Sequence, residues 1–203
     1  MTLDPLTTFD AWWREARAAD PSDLSSAMTL STVDERGRPS SRIVLLRSFD
    51  ARGFVFYTNL DSAKGVHVAK HPYAALCFHF TRTPEGPLGR QVRVEGRVER
   101  VSDDEADAYF SSRPRESQLG AWASDQSRPL DTRDTLFTRL DEVRARFEGK
   151  KSVERPPHWS GLRVIADAIE LWSEGAARLH VRERFERDPT DPRGAWRFGL
   201  LFP

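Results

Sequence analysis

Apolar and polar residues change their period along this chain, and each change marks an element. From Asp4 the spacing is helical: Phe9, Trp12, Trp13 and Ala16 make an apolar stripe behind a cap at Asp4 and a first-turn proline at Pro5. A strand-rich block follows. "AMTLSTV" leads into the turn "DERGRP", then "SSRIVLLRSF", the turn "DARG" and "FVFYTN". Two hairpins in succession predict an antiparallel meander. "SAKGVHVAKHP" reads as a short helix ended before Pro72. "YAALCFHF" and "RQVRVEGRVERV" read as two more strands, joined by the glycine- and proline-bearing loop "TRTPEGPLG". In the second, Val92, Val94 and Val98 fall on one face and Gln91, Arg93, Glu95, Arg97 and Glu99 on the other, so the polar face is wet or lines a site.

The period then turns helical again. "SDDE", Ser102 to Glu105, is a capping box opening a helix through Tyr109 and Phe110. A polar, proline-containing segment, "SSRPRESQLGAWASDQSRPL", separates it from an amphipathic helix with Leu136, Leu140, Val143 and Phe147 on one face and Gly149 as its stop. After the loop "KSVERPPHWSG" three strands close the chain: "LRVIADAIELWS", "RLHVRERFERD" and "AWRFGLLF". If the middle one is a strand from its first residue, Arg178, His180, Arg182 and Arg184 share a face, a cationic row that repels itself unless water or an anion lies against it. Seven or eight mostly adjacent strands with interspersed helices predict an α+β domain built on a closed or half-closed antiparallel barrel. One domain is expected over 1–203, with an N-terminal helix in 1–20, barrel strands in 27–100, a helical segment in 102–148 and C-terminal strands in 161–203.

Bulk composition narrows the function classes. The 203 residues suffice for one substantial core. Lys+Arg and Asp+Glu are both 31, and a net charge of zero argues against a general binder of nucleic acid or membrane surfaces. Anion recognition therefore has to be local. The single cysteine, Cys77, lies in an apolar run and reads as a buried inert thiol suited to a reducing cytosol. The N-terminus has no basic region followed by an apolar run, and no apolar stretch reaches about 18 residues, so a cytoplasmic protein without signal peptide or membrane span is expected. His67, His71, His79, His158 and His180 have no zinc-like spacing, and no metal is expected. P-loop, G-x-G-x-x-G and G-x-S-x-G motifs are absent.

What stands out instead is arginine beside hydroxyl and amide side chains in otherwise apolar strands. Arg42 and Arg47 bracket the apolar run of "SRIVLLR", and "YTNLDSAK" ends a strand with Thr58 and leads into a helix start with Lys64, a setting that suits a phosphate. Tyr109, Arg113 and Ser117 are four apart, so a helix continuing through Pro114 would put all three on one face around a second phosphate. Two phosphate-sized anion sites, one for a cofactor and one for a substrate, would account for both groups.

"SRIVLLR", "FVFYTNLDSAK", "RQVRVEG", "YFSSRPRESQLGAWASDQS", "IELW" and "RLHVR" occur here in the order found in pyridoxamine 5'-phosphate oxidases, and the chain resembles that family from about Asp4 to Pro203. The resemblance implies an FMN-binding split β-barrel, a homodimer with active sites in clefts at the subunit interface, and oxidation of pyridoxamine or pyridoxine 5'-phosphate to pyridoxal 5'-phosphate, with O2 as acceptor and hydrogen peroxide as co-product. It implies an FMN site made of Arg42, Ile43, Val44, Leu45, Leu46, Arg47, Tyr57, Thr58, Lys64, Gln91, Gln126, Ser127, Trp172 and Arg182. The substrate phosphate would meet Arg47, Tyr109, Arg113 and Ser117, and the catalytic pair Arg178 and His180 would lie over the substrate ring.

The sequence departs from the family pattern in places. Arg47 stands where lysine is usual, a planar fork in place of a point donor. Ala63 replaces an arginine that commonly helps hold the flavin phosphate, and Val181 replaces an aspartate. The "TRTPEGPLG" loop is longer than usual and the arm ahead of the first helix is almost missing. These departures keep two alternatives in view: a sister FMN oxidase of the phenazine-pathway type acting on another ring, and a split-barrel carrier or sensor that binds flavin or pyridoxal phosphate without turnover.

Overall fold

Asp4 accepts a hydrogen bond from the Leu6 amide and starts helix α1 (Pro5–Ala19). The computed structural model describes residues 4–83, 85–191 and 194–203. After α1 come β1 (Ala27–Val33), β2 (Pro39–Leu45), β3 (Ser48–Asp50), β4 (Gly53–Asn59), α2 (Ala63–Lys70), β5 (Tyr73–Thr83) and β6 (Gly86–Arg100). Helices α3 (Asp103–Ser112), α4 (Arg115–Ala123) and α5 (Arg133–Arg146) precede β7 (Trp159–Ser173), β8 (Val181–Glu186) and β9 (Arg197–Leu200). The nine strands form one antiparallel sheet in the order β2-β1-β5-β6-β7-β4-β3, with β8 on β7 and β9 on β8. β7 serves two neighbours in turn: its first half pairs with β4, from Trp159 to Val164, and its second half with β8, from Ala168 to Ser173. The fold class is the α+β barrel expected.

The core lies inside the curled sheet, where Leu30, Phe54, Phe78, Val94 and Ile169 are all buried. Helix α1 closes it with Phe9, whose ring meets Phe49, Phe54 and Phe78 edge-on at 4.8–5.0 Å. A second, smaller cluster of Phe110, Leu119, Phe147, Val153 and Trp159 fastens α3, α4 and α5 to the start of β7. No helix among the described residues is long and apolar enough to cross a membrane.

Five local expectations are corrected. "SSRIVLLRSF" is two strands, because after Leu45 the backbone changes partner: the Leu46 amide donates to Ser26 and the Arg47 amide to Val55. "TRTPEGPLG" is mostly strand, since β5 runs to Thr83 and β6 starts at Gly86. Pairing of β6 with β7 begins only at Arg90, so Pro87 sits on an edge, where a proline costs no ladder bond. The polar segment after Ser112 contains α4, whose Leu119 and Ala123 are buried one turn apart. Finally, "RLHVRERFERD" becomes strand only at Val181. Ala177 and Arg178 both have left-handed backbones (φ 53° and 63°), and Arg178 and His180 lie in a turn, so the row of four cations does not form. Cys77 is half-buried rather than buried, and burial raises its thiol pKa.

Candidate active site

The ends of β2 and β4, the start of α2 and one face of α4 enclose a cleft of about 500 Å³. Ile43, Val44 and Leu45 supply one wall, and Arg47, Tyr57, Thr58 and Asn59 continue it. Lys64 is the first cation in the cleft. Its Nζ donates to Gln126 Oε1 at 2.6 Å, Thr58 Oγ1 at 3.0 Å and Ser62 Oγ at 3.1 Å. Ser62 is also the cap of α2, which fixes where the lysine stem leaves the helix. Burial, then the charge of Arg42, pushes the ammonium down to about 8.

Arg42 lies behind this wall. It donates to Leu30 O at 3.1 Å, Thr32 Oγ1 at 2.8 Å and Ser40 Oγ at 2.8 Å. Thr32 Oγ1 thus accepts from a guanidinium, and it lies within hydrogen-bond distance of His67 Nδ1, 3.0 Å away. Every oxygen to which Arg42 and Lys64 are seen to donate is neutral, so two neighbouring cations keep their charge for an anion. This is the setting a cofactor phosphate needs.

The second group is built around a helix break. Residue Arg113, held extended (ψ 150°) ahead of Pro114, ends α3, and α4 restarts at Arg115. The expected continuous helix is therefore absent, yet Tyr109, Arg113 and Ser117 all line the cleft. Tyr109 stacks on Tyr57 with ring centroids 3.9 Å apart, and both lie parallel to Trp159. Burial first, then Glu105 and Tyr109, pushes the Tyr57 hydroxyl up to about 12, so it stays a neutral donor. The Arg113 guanidinium lies over the Trp159 ring at 4.8 Å, and its buried NH1 has no protein partner. Its pKa is lowered, chiefly by burial and also by Arg47. Two guanidiniums that repel each other and a buried unfilled donor mark a second anion position.

The remaining site residues lie elsewhere in this chain. Gln91, Trp172 and Arg182 are cross-strand neighbours on β6, β7 and β8. The His180 ring contacts Trp172 with centroids 4.6 Å apart, and its Nδ1 accepts from the Gly175 amide at 3.2 Å, which puts the neutral ring's proton on Nε2. A Cβ on Gly175 would fall 1.9 Å from Leu179 O, so this turn closes only over glycine. None of Gln91, Trp172, Arg178, His180 or Arg182 lines the cleft, nor do Arg42, Leu46, which is in the core, and Ser127, which has a left-handed backbone (φ 72°). Arg182 Nε donates to Glu170 at 2.8 Å, and Arg184 is bound by Glu95 and Glu186. These cations of the C-terminal stretch are therefore answered by carboxylates.

Sequence reasoning missed Asn59, Trp159, Ser124, Gln118 and Glu170. Asn59 Nδ2 donates to Ser124 O at 3.3 Å, tying the end of β4 to the loop after α4. Glu170 is 2% exposed and joins Arg182 to Arg93, whose NH1 donates at 3.2 Å. A glutamate inside the apolar run "AIELW" was its visible signal. Among the described residues no cluster of His, Cys, Asp and Glu could hold a metal ion.

Comparison with known proteins places this geometry in a lineage. Residues 16–147 match the family described as pyridoxamine 5'-phosphate oxidase, and residues 159–203 match the pyridoxine 5'-phosphate oxidase C-terminal dimerisation region, which supports a homodimer. A pyridoxine/pyridoxamine 5'-phosphate oxidase of Myxococcus xanthus (strain DK1622) is 52% identical over 200 residues, covering 98% of this chain and 92% of the relative. That of Sphingopyxis alaskensis is 52% identical over 203 residues, covering 100% and 89%. Among solved structures, PhzG from Burkholderia lata 383, in complex with tetrahydrophenazine-1-carboxylic acid, superposes with a TM-score of 0.85 at 28% identity, covering 98% of this chain and 93% of that one. A pyridoxamine 5'-phosphate oxidase-related, FMN-binding protein from Nostoc punctiforme, at 18% identity and TM-score 0.74, covers 100% and 99% and shares the fold. With both family matches in sequence order and relatives at half identity over nearly its whole length, the chain belongs to the pyridoxamine 5'-phosphate oxidase family.

Proposed function

We propose that this chain is an FMN-dependent oxidase that converts pyridoxamine or pyridoxine 5'-phosphate to pyridoxal 5'-phosphate, with O2 as acceptor and H2O2 as co-product. The observation that carries the reading is one cleft with two separate anion positions, Lys64 with Arg42 behind it, and Arg113 with Arg47, Tyr109 and Ser117. A cofactor phosphate fits the first, where the donors face neutral oxygens; a substrate phosphate fits the second. When bound, FMN supplies the hydride acceptor, and the protein supplies binding and orientation.

Each residue has a physical task. Thr58 and Gln126 share the Lys64 ammonium and fix its direction. Arg113, stiffened by the Trp159 face, grips the substrate phosphate, and that remote binding energy holds the reacting carbon in place. Arg178, His180, Gln91, Trp172 and Arg182 come to the cleft from the second copy of the chain, with Arg178 and the Nε2–H of His180 over the substrate ring and the others against the cofactor. A cytoplasmic location belongs to this reading, and the lone half-buried thiol Cys77 suits it.

The test is a visible spectrum of FMN-loaded protein mixed anaerobically with pyridoxamine 5'-phosphate. Bleaching of the flavin bands, with recovery in air, is the expected result. A protein that stays yellow would overturn the substrate assignment and turn attention to phosphate-free rings, such as the ligand of the Burkholderia lata structure.

A further inference from the structure

The side chain that holds the proposed substrate-phosphate site together is itself outside the cleft. Gln118, on α4, is 8% exposed, and its Nε2 lies 3.1 Å from Phe110 O, 3.1 Å from Ser111 O and 2.9 Å from Arg113 O. Three carbonyl oxygens around one amide atom admit only the nitrogen there, since an oxygen would meet three acceptors. Phe110 and Ser111 belong to the last turn of α3, where the helix no longer supplies the next turn's amides and Phe110 O receives the Arg113 amide at 3.2 Å. Pro114 has no N–H to offer them, and the chain leaves the helix at Arg113. Gln118 thus stands in for the missing next turn. Both of its N–H groups are shared among the end of α3 and the carbonyl of the residue whose guanidinium enters the cleft.

We infer that Gln118 is the positioning residue of the substrate-phosphate site: it clamps the α3–α4 break so that Tyr109, from the last turn before it, Arg113, at it, and Ser117, from the first turn after it, converge on one anion. The backbone amides agree with this. Ser117 and Gln118 N–H both donate to Pro114 O, at 2.9 and 3.1 Å, so the clamp and Ser117 leave the same first turn of α4. The inference deepens the phosphate reading above and depends on it. Gln118 makes its hydrogen bonds to the end of α3 and shares none with Lys64, Thr58 or Gln126. Its loss should therefore be felt by the phosphate of the substrate and not by FMN.

The test compares flavin-loaded wild type with Gln118→Met, which keeps volume and loses both donors, and Gln118→Asn, which keeps the amide but shortens its reach. For each, kcat/KM is measured with pyridoxamine 5'-phosphate and with unphosphorylated pyridoxamine, and the FMN Kd is measured on the same preparation. Gln118→Met is expected to lower kcat/KM for the phosphorylated substrate by about ten- to a hundredfold, as a misplaced clamp does, with the unphosphorylated one and the FMN Kd nearly unchanged. Gln118→Asn should show the same split, smaller, and it serves if the methionine variant does not fold. Equal losses on both substrates, or none, would overturn the inference. Arg113→Ala is the control. If it too fails to separate the two substrates, the phosphate reading falls and takes this inference with it; if it separates them and Gln118 variants do not, the inference alone falls.

Discussion

Lys64 shows how burial and function pull on one proton. In the free protein its ammonium is held at about 8, below the ordinary 10.5, by burial and by Arg42. The folded state therefore carries fewer protons than the unfolded chain between these values, and the free protein should gain stability as pH rises through that window. A phosphate needs the charged form. Flavin affinity should hold below about pH 8 and fall above it by up to about tenfold per pH unit, because binding must then take up a proton. Lys64→Met should weaken FMN by about one to two decades at neutral pH and remove the fall, as read by quenching of flavin fluorescence. Arg178 presents the opposite case. Its left-handed backbone is uncommon for a side-chain-bearing residue and lies in a turn closed by Gly175. Arg178→Ala should abolish most turnover while FMN stays bound; an apoprotein that no longer takes up flavin would put Arg178 in the cofactor site instead.

Among the elements, β7 does most to organise the molecule. It carries Trp159 into the cleft at one end and sets Glu170 and Trp172 beside β8 at the other. Glu170 lies between Arg93 and Arg182, a buried carboxylate facing two guanidiniums. Removing it leaves both without their shared anion. Glu170→Ala should cost about 3 kcal/mol of unfolding free energy in urea titrations, and a loss below about 1 kcal/mol would mean that solvent already screens the pair. The turn after β7 makes a further prediction. Gly175→Ala would drive a Cβ into Leu179 O, displace His180 from Trp172 and lower turnover, with FMN retention near wild type.

At the scale of the whole molecule the proposed site is divided between two regions that one chain does not bring together. A homodimer solves this if the cleft of one protomer receives the Arg178–Arg182 region of the other. Arg113→Ala and Arg178→Ala, each strongly impaired alone with pyridoxamine 5'-phosphate, should then restore each other when coexpressed. A mixed dimer has one site with both defects and one with neither, so about a quarter of wild-type activity should return from a random mixture. No recovery in a population shown to contain mixed dimers would place both halves in the same protomer. Light scattering should give twice the 23.2 kDa chain mass.

Much of this was legible in the residues themselves. The capping box at Ser102, the two hairpins, the apolar face of Val92, Val94 and Val98 and the family signatures are local, and local pattern carries them. So were several residues that line the cleft, because Lys64, Arg113 and their hydroxyl neighbours sit in short recognisable runs. Other features depend on contacts distant in sequence. Pro114 was visible, but only the packing of Leu119 and the reach of Gln118 decide that the break still gathers Tyr109, Arg113 and Ser117 in one place. The cationic row at Arg178 looked like an anion site because alternation is all that a strand pattern records; Glu170 and Glu95, distant along the chain, neutralise Arg182 and Arg184, and a turn over Gly175 removes the other two from the strand. The sequence alone determined most of the element types, the fold class and the family. The tertiary structure decided which cations remain available to that ligand, because a charge's partners are set by proximity in space and not by position along the chain.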